Sequence, residues 1–386
     1  MIQKVLHISH LYPSNKAPYA GTFIRDLYRS LNTSLDVKIL VPTPYSLPFT
    51  KRFSFNNSTL KDEQDAQRVY YLSIPRQRLA RITKFALFNA LKAAIQNINP
   101  DVVHIHWTFP ELMILPEIKK LGIPVVNTIH GFAFYTAKEN PHLYTHIKNG
   151  LLESDYIITV GNQLRKDIIE EFSFTKDKCS TIYNGIDAQK FSVSDQLKAQ
   201  KKLTWDPKKV HILCVSNTAK EKGTDLLVEA ISKSDILKHK AVVHIVGKPN
   251  DLKLELFLKN KIQSLDIDQI IFHGPKDHSA IPIYYNACDF FVLPSRNEGF
   301  GVALVEAAMC GKPLVSTKSG GPEDILNGKN GILIEKNNSI RLKDALEIMI
   351  QEFKDYNPQE IRNDAVKRFS SDVIAGQLLN IYSNLK

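Results

Sequence analysis

Glu298 and Glu306 stand with seven residues between them in the run PSRNEGFGVALVEAAMCGKP, residues 294 to 313. Gly299 and Gly301 bracket Phe300 just after the first acid, and glycine lets the backbone turn sharply and come close to a ligand. The apolar run DFFVLPS before this turn reads as a strand. The segment after it predicts a helix from about Gly301 to Cys310, closed by Gly311 with Pro313 beyond. A helix amino terminus at the carboxyl end of a strand offers unpaired N–H groups to an anion, which makes a seat for phosphate. Carboxylates are poor neighbours for phosphate but good acceptors for paired hydroxyls. Acids before and after such a seat therefore suit a ligand with sugars flanking a diphosphate, the form of a nucleotide-sugar.

Two other places fit the same ligand. In VSNTAKEKGTDLLVEAI, residues 215 to 231, Lys222 and Gly223 fall between a strand and an amphipathic helix. A lysine there can stabilise the charge that grows on a leaving diphosphate. In YAGTFIRDLYRSL, residues 19 to 31, Gly21 precedes a helix carrying Phe23, Ile24, Leu27 and Leu31, so a second stretch of backbone can approach the same group. The full dinucleotide glycine pattern is missing from this stretch, which speaks against NAD.

These residues need strand ends to hold them. Runs apolar on both faces recur along the chain, starting with KVLHIS, DVKILV, RVYYLSI, DVVHIHW, PVVNTIH, DYIITV and STIYN. The theme restarts after residue 208 with VHILCVS, AVVHIVG, QIIFHG, DFFVLPS, KPLVST and GILIE. Continuous apolar strands alternating with helical segments predict parallel sheets covered on both faces, and two such series predict two doubly wound α/β domains. The length, 386 residues, agrees with two cores rather than one. We place the first domain at 1–190 and the second at 191–370, with a polar linker at 187–207. The apolar helix 371–386 either finishes the second domain or packs back on the first.

Composition narrows the rest. With 43% hydrophobic and 23% charged residues the chain is expected to be globular, and no apolar run approaches a membrane span. The first residues lack the order of a secretory signal, so a cytoplasmic location is expected. The four cysteines, Cys179, Cys214, Cys288 and Cys310, are widely spaced and read as reduced core thiols. Residues 1–190 hold 23 Lys plus Arg against 16 Asp plus Glu, a surplus of +7 within the total of +10. That field attracts polyanions without choosing among them. No aromatic-basic strand motif supports nucleic acid as the partner.

Taken together the chain resembles the family 4 glycosyltransferases, retaining enzymes of the GT-B fold in which two Rossmann-like domains face each other across a cleft. The likeness rests on AGTF with Gly21, NTIHGF with His130 and Gly131, YNGID at 183–187, KG at 222–223, FHG at 272–274 and the glutamate run. The resemblance implies that Glu298 holds donor-sugar hydroxyls, that the backbone of Phe300, Gly301, Val302 and Ala303 meets sugar and phosphate, and that Glu306 binds the ribose. It implies Lys222 on the diphosphate, Gly21 approaching it from the first domain, His130 near the reacting sugar, and the base beside His273 and Gly274. Glu298, Lys222 and His130 are the catalytic candidates. Neither metal nor cofactor is expected, and the attacking hydroxyl is expected to arrive on the face from which the diphosphate leaves.

One departure from the family stands at Asn217, where many relatives have arginine. Some bacterial surface-polysaccharide enzymes similar to teichuronic-acid transferases look the same there. Asn217 can hydrogen-bond phosphate but brings no charge, which shifts the burden to Lys222 and leaves Arg296 as a substitute cation. The expected partners are a nucleotide-sugar, with UDP expected as the commonest carrier, and a saccharide or lipid-linked acceptor met by the loop at 45–64. The basic stretch 75–95, with Arg76, Arg78, Arg81 and Lys84 among apolar residues, fits either a helix on an anionic membrane surface or one packed on the first sheet. Asp266 and Asp268 have a spacing used for divalent ions but sit ahead of a strand, and His104 and His106 alternate on a strand; neither pair reads as a metal site. A nucleotide-sugar epimerase and a non-catalytic nucleotide-sugar-binding protein are the alternatives.

Overall fold

The computed structural model describes residues 2–14, 20–45, 66–73, 80–107, 109–137 and 140–385. The chain divides into two compact units, Met1–Gly185 with Ser371–Lys386, and Ile186–Ser370. All thirteen runs read as strands form strands, and every ladder is parallel.

In the first unit these are β1 (Lys4–Ile8), β2 (Asp36–Tyr45), β3 (Ala66–Leu72), β4 (Val102–His106), β5 (Val125–Ile129), β6 (Tyr156–Thr159) and β7 (Cys179–Thr181). Their spatial order is β3-β2-β1-β4-β5-β6-β7. Val5, Leu6, Ile8, Val102, Val103 and Ile105 are all fully buried, as expected of strands with helices on both faces. The second unit has β8 (Val210–Val215), β9 (Ala241–Val246), β10 (Ile270–Gly274), β11 (Phe290–Leu293), β12 (Leu314–Thr317) and β13 (Gly331–Ile334) in the order β10-β9-β8-β11-β12-β13. In each sheet the strand order reverses once, between β1 and β4 and between β8 and β11. Ligands of open α/β sheets settle at the carboxyl ends of strands at such a switch point.

The segment 187–207 is more than a linker. It contributes the helix Gln196–Leu203 and the buried Phe191 and Trp205 to the second unit, and its charged residues line the outside of that helix. The helix Ser371–Ser383 belongs to the first unit. Ile374, Ala375, Leu378 and Tyr382 lie in one core with Val5, Ile24, Leu27 and Leu31.

All four cysteines are free and buried, and burial pushes the thiols of Cys179 and Cys214 up to about 11 and that of Cys288 up to about 12. No helix among the described residues is long and apolar enough to cross a membrane. Within the basic stretch, Arg76 and Arg78 lie outside the described residues, as do residues 46–64 of the candidate acceptor loop. The helix Ala80–Ile98 leaves Ile82 and Phe85 exposed, buries Leu87, and pairs Lys84 with Glu117 at 3.0 Å.

Candidate functional site

The second unit gathers its site residues at the β8/β11 switch point. After β8 the chain runs through Asn217 to a single turn of 3-10 helix, Lys220–Lys222, then Gly223 and the helix Thr224–Ser232. Gly223 has φ 71°, and a Cβ there would stand 2.0 Å from the Pro294 carbonyl oxygen at the end of β11. Only glycine permits both the left-handed backbone and this close approach. The result is that Lys222 is delivered beside the turn after β11. Its Nζ donates to Glu298 Oε2 at 2.7 Å, and Ser295 Oγ donates to the same oxygen at 3.2 Å.

Glu298 is firmly placed. Its N–H donates to the Ser319 carbonyl at 2.9 Å, and its carbonyl accepts from Gly321 N–H at 2.8 Å. Residues 318–323, which sequence reasoning passed over, thus form a backbone clamp on the acid. A Cβ on Gly321 would meet Phe300 Cα at 2.2 Å, so the SGGP run was the available signal. Glu298 Oε1 has no partner among the described residues and remains an acceptor for a hydroxyl.

The predicted helix is present as Val302–Met309, with Gly301 at φ 102° as its N-cap. Its end is the Schellman closure that Gly311 suggested: Gly311 N–H donates to Ala308 and Lys312 N–H to Ala307. At the start, the N–H groups of Val302 and Ala303 have no acceptor among the described residues, as first-turn donors lack intrahelical partners. The Phe300 ring is buried against Phe369, so only its backbone can face a ligand.

One expectation changes here. Arg296 is no free substitute cation for Asn217: its guanidinium grips the Asp225 carboxylate through two 2.7 Å bonds and also donates to the Lys220 carbonyl. Its charge is neutralised in binding one loop to the other. Asn217 Oδ1 accepts from Lys248 N–H at 3.2 Å and so orders the turn after β9.

Glu306 is 6% exposed, buried rather than solvated. Tyr285 donates its hydroxyl to Oε2 at 2.8 Å, and burial followed by the Glu306 charge holds the tyrosine pKa far above its ordinary value. Lys190 donates to His278 Nδ1, which leaves Nε2–H to donate to Glu306 Oε1 at 3.1 Å. Each carboxylate oxygen keeps a second lone pair for a ligand hydroxyl. Sequence reasoning missed these two partners because a tyrosine in PIYYNAC reads as core and His278 stands in a featureless loop.

His273 and Gly274 close β10, and His273 is the last member of a chain. His211 Nε2 must donate to the Asp206 carbonyl (2.8 Å), so its Nδ1 accepts from His244 Nε2 (3.0 Å), whose Nδ1 accepts from His273 Nε2 (2.9 Å). Trp205 stacks on His244 at 3.5 Å, and burial lowers the His244 pKa to about 2, so that ring stays neutral.

In the first unit, Gly21 has φ 66° and caps the helix Thr22–Leu31; a Cβ there would stand 2.3 Å from the Leu11 carbonyl oxygen. His130 follows β5, its ring tilted 32° against Trp107 with centroids 4.2 Å apart, and its Nε2 is buried with no partner among the described residues. Burial, then the neighbouring His10, lowers its pKa to about 3. Below it His7, His104 and His106 pack on one face of the sheet with ligand nitrogens within 4.8 Å of one another. Hydrogen bonds occupy most of those nitrogens: His7 to His106 at 2.9 Å, His104 to Tyr382 at 2.5 Å and to Thr128 at 2.7 Å. Asp266 and Asp268 are exposed, Asp266 in a left-handed turn with φ 53°.

Two doubly wound parallel-sheet units, each with a glycine-capped helix at its switch point, define the GT-B class. Residues 20–190 match the family described as Glycosyltransferase Family 4, and residues 195–366 match Glycosyl transferases group 1. The chain belongs to these glycosyltransferases. It is 28% identical over 331 residues to an uncharacterised glycosyltransferase of Methanocaldococcus jannaschii, covering 84% of this chain and 87% of that one. It is also 28% identical over 304 residues to the N-acetyl-alpha-D-glucosaminyl L-malate synthase of Bacillus anthracis, covering 77% and 78%. In fold it is similar to the sucrose-phosphate synthase of Thermosynechococcus elongatus (TM-score 0.81, 17% identity, 99% of each chain). A second fold neighbour is HepE of Anabaena in complex with UDP and glucose (TM-score 0.77, 18% identity, 99% of each chain).

Proposed function

We propose that this glycosyltransferase moves a sugar from a nucleoside-diphosphate sugar, UDP-linked, to a hydroxyl of a saccharide or lipid-linked saccharide in surface-polysaccharide synthesis. The second unit is the donor domain and the first the acceptor domain. The observation that carries this reading is the Lys222–Glu298 pair beside the open N–H groups of Val302 and Ala303. A diphosphate against that helix start meets Lys222, Glu298 Oε1 accepts hydroxyls of the donor sugar, and Glu306 accepts those of the ribose. UDP as carrier follows the nucleotide named in the Anabaena complex.

The reaction retains configuration and needs no metal. The acceptor oxygen bonds to the anomeric carbon as the bond to the diphosphate breaks; the electron pair leaves with the diphosphate, and that phosphate takes the acceptor proton. The protein orients both substrates and stabilises separating charge through Lys222 and the helix terminus.

Incubation with a set of UDP-sugars and candidate acceptors, with and without a chelator, and analysis by mass spectrometry and NMR tests the whole reading. Transfer or slow donor hydrolysis, undiminished by chelator and with the donor's anomeric configuration kept, is expected. Isomerised donor without transfer points to an epimerase, and binding without turnover to a non-catalytic protein.

A further inference from the structure

The first unit carries a cluster that the donor site does not use. His10 follows β1 and Trp107 follows β4, so both stand at that sheet's own switch point. His10 is tied twice to Glu111: Nδ1 lies 2.6 Å from Oε1, and the His10 backbone N–H donates to the same oxygen at 3.0 Å. Glu111 is fully buried, and its Oε2 has no partner among the described residues. A buried carboxylate is costly unless a charge or donors compensate it, and here the compensating side chain is an imidazole that stays 28% exposed. With Nδ1–H committed to the carboxylate, Nε2 is the nitrogen left to face a ligand.

Trp107 is held beside it, with ring centroids 5.5 Å apart. Its backbone has φ 80°, a strained conformation for a bulky residue. Asn127 Nδ2 donates to the Trp107 carbonyl at 3.0 Å, and the indole N–H donates to Ser9 Oγ at 3.1 Å. The indole is half-buried. A fixed aromatic face next to an oriented imidazole matches a pyranose, which offers a C–H face and hydroxyls at its rim.

We propose that Trp107 and His10, the latter oriented by Glu111, form the subsite for the acceptor sugar: the indole carries the ring face and His10 Nε2 hydrogen-bonds a hydroxyl. The subsite rests on the glycosyl-transfer reading but uses neither Glu298 nor Lys222. Its position follows from the β1/β4 switch point, and its residues recognise a neutral sugar rather than an anion.

The chain has two tryptophans, Trp107 in the first unit and Trp205 in the second, so 5-fluorotryptophan labelling gives two fluorine NMR signals, assigned with Trp107→Phe. Titration with the methyl α- and β-pyranosides of glucose, galactose, mannose and N-acetylglucosamine should move the Trp107 signal for at least one sugar and leave Trp205 in place. His10→Asn should weaken that binding by roughly tenfold, the loss of one oriented hydrogen bond. Glu111→Gln should do the same; should that buried substitution prevent folding, His10→Asn on a part-exposed side chain still decides. An unmoved Trp107 signal with every sugar, or unchanged binding in His10→Asn, overturns the proposal. UDP is the separate control, expected to shift Trp205 beside His244. A glycoside shift without a UDP shift would support the pyranose subsite and break the donor assignment alone.

Discussion

The two units share a topology and differ in how their switch points are filled. In the second, charged side chains find partners: Lys222 pairs with Glu298, Arg296 with Asp225, and Glu306 accepts from Tyr285 and His278. In the first, His106 Nδ1, Glu111 Oε2, Asn127 Oδ1 and His130 Nε2 are buried without partners among the described residues. Unmatched polar atoms in a low-dielectric interior are costly, so their concentration at one sheet end marks a place shaped for something besides stability. The second site matches its charges and leaves open only Glu298 Oε1 and the first-turn N–H groups of Val302 and Ala303; the first leaves several buried side-chain atoms unmatched.

The widest gap between the units should open in kinetics. Glu298→Gln and Lys222→Ala are expected to lower turnover at saturating donor by about 10²- to 10³-fold, the scale of removing one preorganised electrostatic group. Urea midpoints of both variants should stay near that of the parent. Unchanged turnover in either would remove the role assigned to that residue.

Acid should strain the first unit more. Burial lowers His7 and His130 to about 3 and holds His104 and His106 well below the ordinary 6.5. Between about 3 and 6.5 the unfolded chain binds more protons than the folded one at these sites, so stability is full above 6.5 and declines as pH falls through that window. For His7 and His130 the loss is on the order of a few kcal/mol each. Urea melts at pH 7 and pH 4.5, read by Trp107 and Trp205 separately, should show the larger loss at Trp107; equal losses would erase the contrast.

Smaller effects sharpen the second unit. Gly223→Ala must accept φ 71° and a 2.0 Å approach to the Pro294 carbonyl, so a loss of roughly 1–3 kcal/mol in chemical denaturation is expected. Tyr285→Phe strips a donor from buried Glu306 and should weaken UDP binding in calorimetry by about tenfold. Arg296→Ala should change turnover by only roughly twofold, because its charge is already matched by Asp225. A hundredfold fall there would return Arg296 to the list of diphosphate ligands.

Most of the fold could be read from residue pattern because parallel strands buried on both faces leave continuous apolar runs, and KVLHIS or DFFVLPS need no distant partner to be recognised. The turn chemistry at Gly301 and Gly311 was equally local. What escaped depends on residues far apart in the chain: Asp225 capturing Arg296, His278 reaching Glu306, and Glu111 meeting His10 across a separation of 101 residues. No periodicity records such pairings. The clamp of residues 318–323 on Glu298 escaped for the same reason, since it is made of main-chain atoms whose sequence trace is only two glycines.

The helix Ser371–Ser383 has a bearing on how the molecule is made. Synthesis proceeds from the amino end, yet Leu378 and Tyr382 are needed to roof the hydrophobic interior around Val5 and Leu31. The unit that holds residues 1–185 therefore cannot close its core until residues 371–383 have been made, after every residue of the other unit. Deleting residues 371–383 would damage the unit formed by residues 1–185 and spare the one that directly precedes the cut in sequence.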